Sequence, residues 1–371
     1  MFAQKSFRFP IHFYDRLANS MKHQFRAALG WAALISSLTL LGGVTDRTLD
    51  FYWVDSQGGG STLIVTPGDE SILIDTGNPG GRDAGRIHKV ATQVAGLKQI
   101  DHLIVTHLHV DHFGGAAELV SLMPVRRLYD NGIPDRDPDG GNDAAWPLKI
   151  KAYREMEVGE RVLVMPGSVQ PLKGAADPGL PVPRFTFVAA RKQLALDSLG
   201  AQTVTECHDP QPKPPDPSDN ANSVVTLIQF GPFRYFNGGD LTWNIEATLV
   251  CPVLQVGSVD VYQVNHHGLD VSNNPRLLQA LAPSVAVFNN GPRKGCMPEV
   301  VNNLRTLPSL QAVYQVHRNL GNLDVNAPRE QCANDGEAGG NYLKLSVAPD
   351  GRSYVVTVPS TGHRRTFATR L

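Results

Sequence analysis

The sequence predicts an α/β (α+β) fold arranged as a four-layer αββα sandwich. Runs of β-branched and aromatic residues divide the chain into two strand-rich halves, and segments with helical periodicity are attached to each half. Two such sheets bury one face against each other and cover the other face with helices. The chain has 371 residues, 42% of them hydrophobic and 19% charged, which is enough for one large domain or two small ones.

The first half is expected to open with three short strands at residues 49–54, 62–66 and 71–75. Glycine- and proline-rich turns at residues 58–60 and 67–69 separate them. The apolar patterning then predicts a helix, a strand, a helix and a strand, at residues 82–95, 101–106, 116–123 and 125–129.

The second half follows a less regular stretch at residues 134–220. Its proline run at 211–217 can be neither a helix nor a central strand, so we expect an exposed loop or a lid. Beyond it, the pattern predicts a hairpin, alternating helices and strands, and a closing hairpin. These elements are expected at residues 224–230, 233–236, 245–250, 259–264, 275–281, 285–288, 298–304, 312–316, 341–347 and 353–358.

Residues 1–48 are expected to be a signal peptide or membrane anchor, and residues 49–371 the folded domain. A basic stretch at 21–26 precedes an apolar run at 27–44, which is the order found in secretory signals. The run has the length of a signal core and is short for a membrane-spanning helix, but an uncleaved anchor stays open because no clear cleavage site follows. We therefore expect an exported protein, periplasmic, secreted or membrane-anchored. The alternative is a buried N-terminal helix.

Composition adds two expectations. Export would permit a disulfide, and Cys296 with Cys332 is the favoured pair because both flank the same predicted helix–strand unit. The formal net charge is -1, so no general basic field exists to hold nucleic acid, and any such binding would need a local patch.

The main functional signal is the segment T-H-L-H-V-D-H at residues 106–112, directly after an apolar run typical of a buried strand. It supplies His107, His109, Asp111 and His112. Imidazole nitrogens and carboxylate oxygens are the ligands that zinc accepts. A histidine-rich surface turn is the alternative, but this density of ligands at a strand end favours a metal site.

Three further motifs occur in order along the chain: S-I-L-I-D-T-G at 71–77, F-N-G-G-D at 236–240 and V-N-H-H-G at 264–268. Together with residues 106–112 they resemble the signature of the metallo-β-lactamase-fold hydrolases, across residues 49–358.

A narrower resemblance is also visible. The opening F-Y-W-V-D at 51–55, the pair Asn222-Ser223 before a strand, and the double histidine before Gly268 are similar to the exported hydrolase domain of bacterial DNA-uptake (competence) channel proteins and their stand-alone relatives.

The resemblance implies a binuclear site with two Zn²⁺ ions per chain. A hydroxide held between the metals would attack the substrate, since zinc lowers the pKa of bound water to about 7. The implied metal ligands are His107 and His109 for the first ion, Asp111, His112 and His266 for the second, and Asp240 as the bridge.

Other residues receive supporting roles in this interpretation. Asp111 and His267 are the candidate catalytic residues, with His267 acting as a substrate-contacting or outer group. Asp75 would accept the N–H of a ligand histidine and so fix its tautomer. Asn222 would lie close behind the ligands.

The family usually adds a third histidine to the first zinc, upstream of the bridging carboxylate. The only histidine between His112 and Asp240 is His208, which lies 32 residues upstream of Asp240 (240 minus 208). Asn222 lies 18 residues upstream (240 minus 222). We therefore expect a weak first site, completed by water or by His208.

The expected function is hydrolysis of a phosphodiester in a nucleotide or nucleic acid. The alternatives are hydrolysis of a small ester, lactone or β-lactam, and a non-catalytic metal-binding domain. The expected partner is a small-molecule or nucleotide substrate, and the sequence does not indicate an oligomeric state.

Overall fold

The computed structural model describes residues 47–170, 172–173, 177–195, 202–204, 207 and 212–370. Residues 1–46 of the predicted signal or anchor at 1–48, and the candidate ligand His208, lie outside the described residues. Within the described part of the chain, no helix is both long and apolar enough to cross a membrane.

The strands of the described residues fall into two large sheets and one small one. In chain order they are β1 Leu49–Val54, β2 Thr62–Val65, β3 Ser71–Ile74, β4 Ile100–Ile104, β5 Val125–Asp130, β6 Glu160–Leu163, β7 Val169–Gln170, β8 Arg184–Ala190, β9 Gln193–Leu194, β10 Gln202–Thr203, β11 Val225–Phe230, β12 Phe233–Asn237, β13 Val253–Leu254, β14 Val261–Gln263, β15 Val285–Phe288, β16 Ala312–His317, β17 Cys332–Asn334, β18 Tyr342–Val347, β19 Ser353–Val358 and β20 His363–Ala368.

The helices lie mainly between these strands. They are α1 Arg82–Lys89, α2 Val110–Phe113, α3 Ala116–Leu122, α4 Trp146–Lys149, α5 Lys151–Glu155, α6 Trp243–Thr248, α7 Pro275–Leu281 and α8 Pro298–Arg305. A π-helical turn, Val90–Val94, continues α1, and 3₁₀ turns occur at Asp219–Asn222, Asn265–Gly268, Leu323–Val325 and Arg329–Gln331.

Each large sheet contains a block of parallel strands. The first sheet has the order β20-β19-β18-β1-β2-β3-β4-β5-β6, and the second has β17-β16-β15-β14-β12-β11-β8-β7 with β9 beside β8. Strands β3 to β6 run parallel to one another, as do β12, β14, β15, β16 and β17. The carboxyl ends of parallel strands meet at one edge of a sheet, which is where α/β proteins place their ligands.

Three apolar clusters show how the layers pack. The central cluster joins the two sheets: the rings of Phe51 in β1 and Tyr235 in β12 lie 4.7 Å apart between centroids. A second cluster packs the outer face of the first sheet against α1, α3, α4 and α5, with Ile87 fully buried. A third packs the outer face of the second sheet against α7 and α8, with Leu278 and Leu304 buried. Helix, sheet, sheet and helix form the four-layer αββα sandwich, so the predicted fold class is confirmed.

Residues 134–220 contain more regular structure than expected. Strand β8 lies within them and pairs with β11 along five register positions, Val225↔Ala189 to Gln229↔Arg184. The chain also closes with a third strand, β20, paired with β19 beyond the predicted hairpin. Strands β8 and β20 each add one strand to a sheet that was predicted, so the fold class is unchanged.

The predicted disulfide is wrong. The structure joins Cys207 to Cys251, whose Cα atoms are 5.6 Å apart, within the usual span of a disulfide. Cys296 and Cys332 are buried free thiols. The Gln315 side chain lies between them, with its amide donating to Cys296 Sγ at 3.1 Å and its oxygen 3.8 Å from Cys332 Sγ, so the two sulfurs face a glutamine instead of each other.

Candidate metal centre

Four strands deliver the predicted site residues from their carboxyl ends. Asp75 follows β3 and His107 follows β4 in the first sheet, while Asp240 follows β12 and His266 and His267 follow β14 in the second. The site is therefore built where the edges of the two sheets meet. Two distant parts of the chain supply side chains whose positions are fixed by buried strands.

The loop after β4 is held to β3 through one carboxylate. Asp75 Oδ1 accepts the backbone N–H of Thr106 at 2.8 Å, and Asp75 Oδ2 accepts the Thr106 hydroxyl at 2.8 Å. The chain then turns into α2, with His109 as the residue before its first turn. His107 therefore lies on the extended side of the turn and His112 on the helical side, which lets both face one centre.

A glycine on the β1–β2 connection permits this close packing. A Cβ atom at Gly60 would lie 2.7 Å from Asp75 Oδ2 and 2.8 Å from His112 Nδ1. Real Cβ atoms do not approach polar atoms so closely, so any side chain here would displace the carboxylate or the imidazole. The glycine run that the sequence indicated as a turn also makes room for the site.

Four side chains form one compact group of ligand atoms. Asp111, His112, Asp240 and His267 each offer one ligand atom, and these atoms all lie within 4.8 Å of one another. His267 Nε2 is 3.3 Å from Asp240 Oδ2 and 3.4 Å from Asp111 Oδ2, and His112 Nε2 is 3.2 Å from Asp240 Oδ2. Two carboxylates and two imidazoles converging in this way match the donor set of a divalent transition-metal site.

One buried polar atom of the centre, His107 Nε2, has no hydrogen-bond partner among the described residues. It lies 4.0 Å from Asp240 Oδ2. A buried polar atom without a partner costs free energy, and a metal ion satisfies both a nitrogen lone pair and a carboxylate oxygen. The residues present therefore fit bound divalent metal ions.

The electrostatics of Asp240 and His107 agree with this fit. Burial would raise the pKa of Asp240, but the imidazoles of His112, His267 and His266 outweigh burial and hold that pKa well below its usual range. Burial, together with the neighbouring His112, lowers the pKa of His107 well below its ordinary value, so this imidazole is neutral with a free lone pair. An ionised carboxylate and a neutral imidazole are the protonation states that bind metal.

His112 is oriented by Asp75. Its Nδ1 lies 2.7 Å from Asp75 Oδ2, which leaves Nε2 facing Asp240. Burial lowers the pKa of His112, but the carboxylates of Asp240, Asp75 and Asp111 outweigh burial and raise that pKa well above its ordinary value. A carboxylate behind a ligand histidine fixes which nitrogen is free for a metal.

The two adjacent histidines of the last motif take different places. His266 and His267 both have left-handed backbone conformations, with φ of 52° and 55°. His267 belongs to the compact group of four, whereas His266, which the sequence favoured as a ligand, lies outside that group. His266 Nε2 is nonetheless 3.3 Å from Asp240 Oδ2, and burial lowers its pKa to about 4.

Each of these histidines is held through its other ring nitrogen. His267 Nδ1 is 2.8 Å from the backbone oxygen of Asn289, and His266 Nδ1 is 3.1 Å from the hydroxyl of Ser272. Both partners are on loops that sequence reasoning did not single out. The motif gave no signal for them, because hydrogen bonds to a backbone oxygen or a serine leave no pattern along the chain.

His109 faces an acidic part of the surface. Its Nε2 lies 2.9 Å and 3.0 Å from the two carboxylate oxygens of Asp139, which leaves Nδ1 as the nitrogen for a metal. A cavity of about 370 Å³ opens beside it and is lined by Asp111, Asp137, Asp139 and Asp143 among other residues. The turn-rich sequence at residues 135–142 indicated a loop here but not its contact with His109.

Asn222 lies behind the metal motif. It is in the 3₁₀ turn Asp219–Asn222, and its amide donates to Asp219 Oδ1 at 2.9 Å. Asp219 Oδ2 accepts the backbone N–H of Leu108 at 2.7 Å. Asn222 therefore supports the loop between His107 and His109 through one intermediate residue.

Lys294 is a further residue that the sequence did not reveal. Its ammonium group lies 2.5 Å from Asp111 Oδ2, the oxygen that also faces His112 and His267. It comes from the loop after β15, far along the chain from the histidine motif. No short motif around it signals a site.

Comparison with known proteins is consistent with this centre. Residues 56–174, which include the histidine motif, match the family model of the metallo-beta-lactamase superfamily. The chain is 28% identical over 203 residues to ComE operon protein 3 of Bacillus subtilis, covering 53% of this chain and 20% of that protein. It is 25% identical over 277 residues to Recombination protein 2 of Haemophilus influenzae, covering 74% of this chain and 28% of that protein.

A UPF0173 metal-dependent hydrolase of Polynucleobacter asymbioticus is 30% identical over 160 residues, covering 41% of this chain and 50% of that protein. The chain thus matches half or less of the length of each of these relatives. Among solved structures, MEM-A1, a subclass B3 metallo-beta-lactamase from a soil metagenome, is 15% identical with a TM-score of 0.35, covering 58% of this chain and 76% of that one. Unliganded yeast PDE1 is 10% identical with a TM-score of 0.37, covering 72% and 97%.

The family match begins just after β1 and includes the loops that carry Asp75, His107, His109, Asp111 and His112. The resemblance inferred from the four motifs is therefore confirmed. The chain contains a metallo-β-lactamase domain.

Proposed function

We propose that the protein is a zinc-dependent hydrolase that binds two metal ions and cleaves a phosphodiester in a nucleotide or nucleic acid. The observation that carries the proposal is the convergence of Asp111, His112, Asp240 and His267, whose ligand atoms lie within 4.8 Å of one another. Clustered ionisable side chains destabilise a fold unless a ligand compensates their charge. A buried group of two carboxylates and two imidazoles is therefore typical of a functional site.

The donor set divides into two sites that share one residue. Asp111, His112 and His267 would hold one ion, and His107 and His109 the other, with Asp240 between them. His266 is a further nitrogen beside the shared carboxylate, since its Nε2 is 3.3 Å from Asp240 Oδ2. When bound, the metals supply a nucleophilic water at neutral pH and positive charge opposite the developing negative charge of the reaction.

The choice of a phosphodiester rests on relatives and on charge. One relative that covers 74% of this chain is named for recombination, a reaction of nucleic acid. The formal net charge of -1 provides no general attraction for a polyanion, so a nucleotide or a short end of a strand is favoured over a long duplex.

Activity of the purified chain tests this proposal. The protein would be stripped of metal, reloaded with zinc and assayed on bis(p-nitrophenyl) phosphate, a lactone and nitrocefin. The proposal predicts zinc-dependent cleavage of the diester, up to two zinc ions per chain by elemental analysis, and no turnover by His109→Ala. Cleavage of the lactone or nitrocefin alone would shift the function to the small-ester class, and metal binding without any turnover would leave a binding domain.

We further propose that the protein is exported. The basic-then-apolar order of residues 21–44 motivates this, and the Cys207–Cys251 disulfide suits an oxidising compartment. N-terminal sequencing of protein from the native cell envelope should give a mature start after about Val44. A cytoplasmic product that begins at Met1 with reduced Cys207 would contradict export.

A further inference from the structure

The loop that carries Lys294 is fixed against the metal centre. We define the Lys294 loop as residues 291–297. Its Cys296 N–H donates to the backbone oxygen of His267 at 3.1 Å, and its Met297 N–H donates to that of Gly268 at 2.9 Å. Gly295 has a φ of 85°, and a Cβ there would lie 2.0 Å from the His267 oxygen. Backbone hydrogen bonds to His267, a candidate ligand, therefore fix the position of the loop that carries the lysine.

The position of its charge is unusual for a purely structural lysine. The ammonium lies 2.5 Å from Asp111 Oδ2, an atom of the compact ligand group. A cation at this distance opposes binding of a divalent metal by the same carboxylate, because like charges repel. A neutral donor would orient Asp111 without that cost. The charge is therefore explained better by a second, anionic partner.

The lysine is also accessible to such a partner. Its side chain is 38% exposed, and its one ion pair among the described residues is with Asp111. An ammonium has three N–H donors, so after the bond to Asp111 two remain for another group. Any substrate held against Asp111 and His267 would come within reach of them.

We propose that Lys294 is a substrate-binding residue that holds an anionic oxygen of the phosphoryl group being cleaved. The inference rests on the proposed hydrolase function and names the chemistry that the substrate must present beside the metals. The cavity beside His109 is lined by Asp137 and Asp139, and by Asp143 paired with Lys149 at 2.6 Å. Lys294, by contrast, brings its ammonium to Asp111 itself, so it is the cation placed to meet an anionic oxygen at the ligand group.

The test uses the zinc-loaded full chain and inorganic phosphate as the probe. Calorimetry of phosphate binding would compare wild type with Lys294→Met and Lys294→Arg, and a separate zinc titration would be run on each apo protein. We expect Lys294→Met to weaken phosphate binding at least about tenfold, or about 1.4 kcal/mol, with zinc affinity unchanged or higher. Lys294→Arg should recover most of the phosphate affinity, because it restores the charge.

A matched control is Lys344→Met. Lys344 also pairs with a buried carboxylate, Asp50 Oδ2 at 3.0 Å, but on the first sheet away from the ligands. Its loss should leave phosphate binding as in wild type. Unchanged phosphate affinity in Lys294→Met would overturn the inference, and so would weaker zinc binding in that variant, since the lysine would then serve to orient Asp111.

Kinetics separate this inference from the proposed function. If Lys294→Met raises the KM for bis(p-nitrophenyl) phosphate with little change in kcat, both stand. If wild type binds phosphate through Lys294 but cleaves no diester, the inference stands and the proposed function fails. If wild type cleaves the diester and Lys294→Met keeps the wild-type KM and phosphate affinity, the function stands and the inference fails.

Discussion

Asp75 is the side chain whose loss should separate metal binding from folding most clearly. It makes three hydrogen bonds: Oδ1 accepts Thr106 N–H at 2.8 Å, while Oδ2 accepts the Thr106 hydroxyl at 2.8 Å and faces His112 Nδ1 at 2.7 Å. Asp75→Asn can keep the first bond through its amide oxygen. The amide nitrogen that replaces Oδ2 cannot accept a hydrogen bond, so His112 Nδ1 can no longer act as a donor to it.

The size of the effect follows from the tautomer of His112. With a donor at residue 75, the favoured imidazole carries its proton on Nε2, the nitrogen that lies 3.2 Å from Asp240 Oδ2 within the ligand group. A protonated Nε2 cannot bind metal. Loss of such an outer partner typically lowers metal affinity about 10- to 100-fold, which corresponds to roughly 1.4–2.8 kcal/mol.

The assay is calorimetric zinc titration of apo Asp75→Asn beside apo wild type, with thermal unfolding of both. Asp101→Asn is the matched control, because Asp101 is another buried carboxylate that accepts a backbone N–H and a hydroxyl from one residue, Ser71, at 3.0 Å each. It lies at the start of β4, away from the ligands, and should cost stability without changing zinc affinity. Equal zinc affinity in wild type and Asp75→Asn would refute the assignment of Asp75 as the partner of a ligand histidine.

Three further outcomes are expected. Asp111→Ala should lose more zinc than His107→Ala in the same titration, because Asp111 carries a charge into the compact group; equal losses would contradict the division into a tight and a weak site. Reducing the Cys207–Cys251 bond, which closes a sequence separation of 44 residues, should lower the free energy of unfolding by about 4 kcal/mol in a denaturant titration, whereas Cys251→Ser should show no effect of reductant. Burial raises the pKa of Glu246 from 4.5 to about 7, so folding favours the protonated carboxyl. The free energy of unfolding should therefore fall as the pH rises from about 4.5 through 7, by roughly 3 kcal/mol in total. Thermal melts from pH 5 to 9 should show this dependence in wild type and a flatter one in Glu246→Gln.

The fold was predictable because its signals are local and repeated. Strands buried on both faces appear as short apolar runs, and the structure begins β1 at Leu49 and ends β3 at Ile74, within one residue of the predicted limits. β20 is one of the strands that the sequence did not predict, and its composition shows why. It is an edge strand in which only Phe367 is buried, so it has no apolar pattern, and its charged residues are typical of an exposed edge.

The disulfide escaped notice for a related reason. Cys207 lies shortly after the two-residue strand β10. This strand pairs with β13, which begins two residues after Cys251. Such a pairing depends on where an irregular loop is placed by the rest of the protein. Sequence separation carries no information about that placement, whereas the favoured pair, Cys296 and Cys332, shared a predicted unit but is separated in space by Gln315.

The candidate ligands are easier to recognise in the sequence than their arrangement in space. A histidine that follows a buried strand lies at the carboxyl edge of its sheet, and the structure places Nε2 of both His266 and His267 3.3 Å from Asp240 Oδ2. Which of them enters the compact group depends on two consecutive residues with positive φ, a conformation that carries no pattern in their own side chains. It also depends on the loop after β15, which supplies the Asn289 oxygen to His267 and bonds its backbone through Cys296. The same loop places the Lys294 ammonium against Asp111. One segment outside the four motifs therefore both positions His267 in the ligand group and supplies the lysine proposed to bind the substrate.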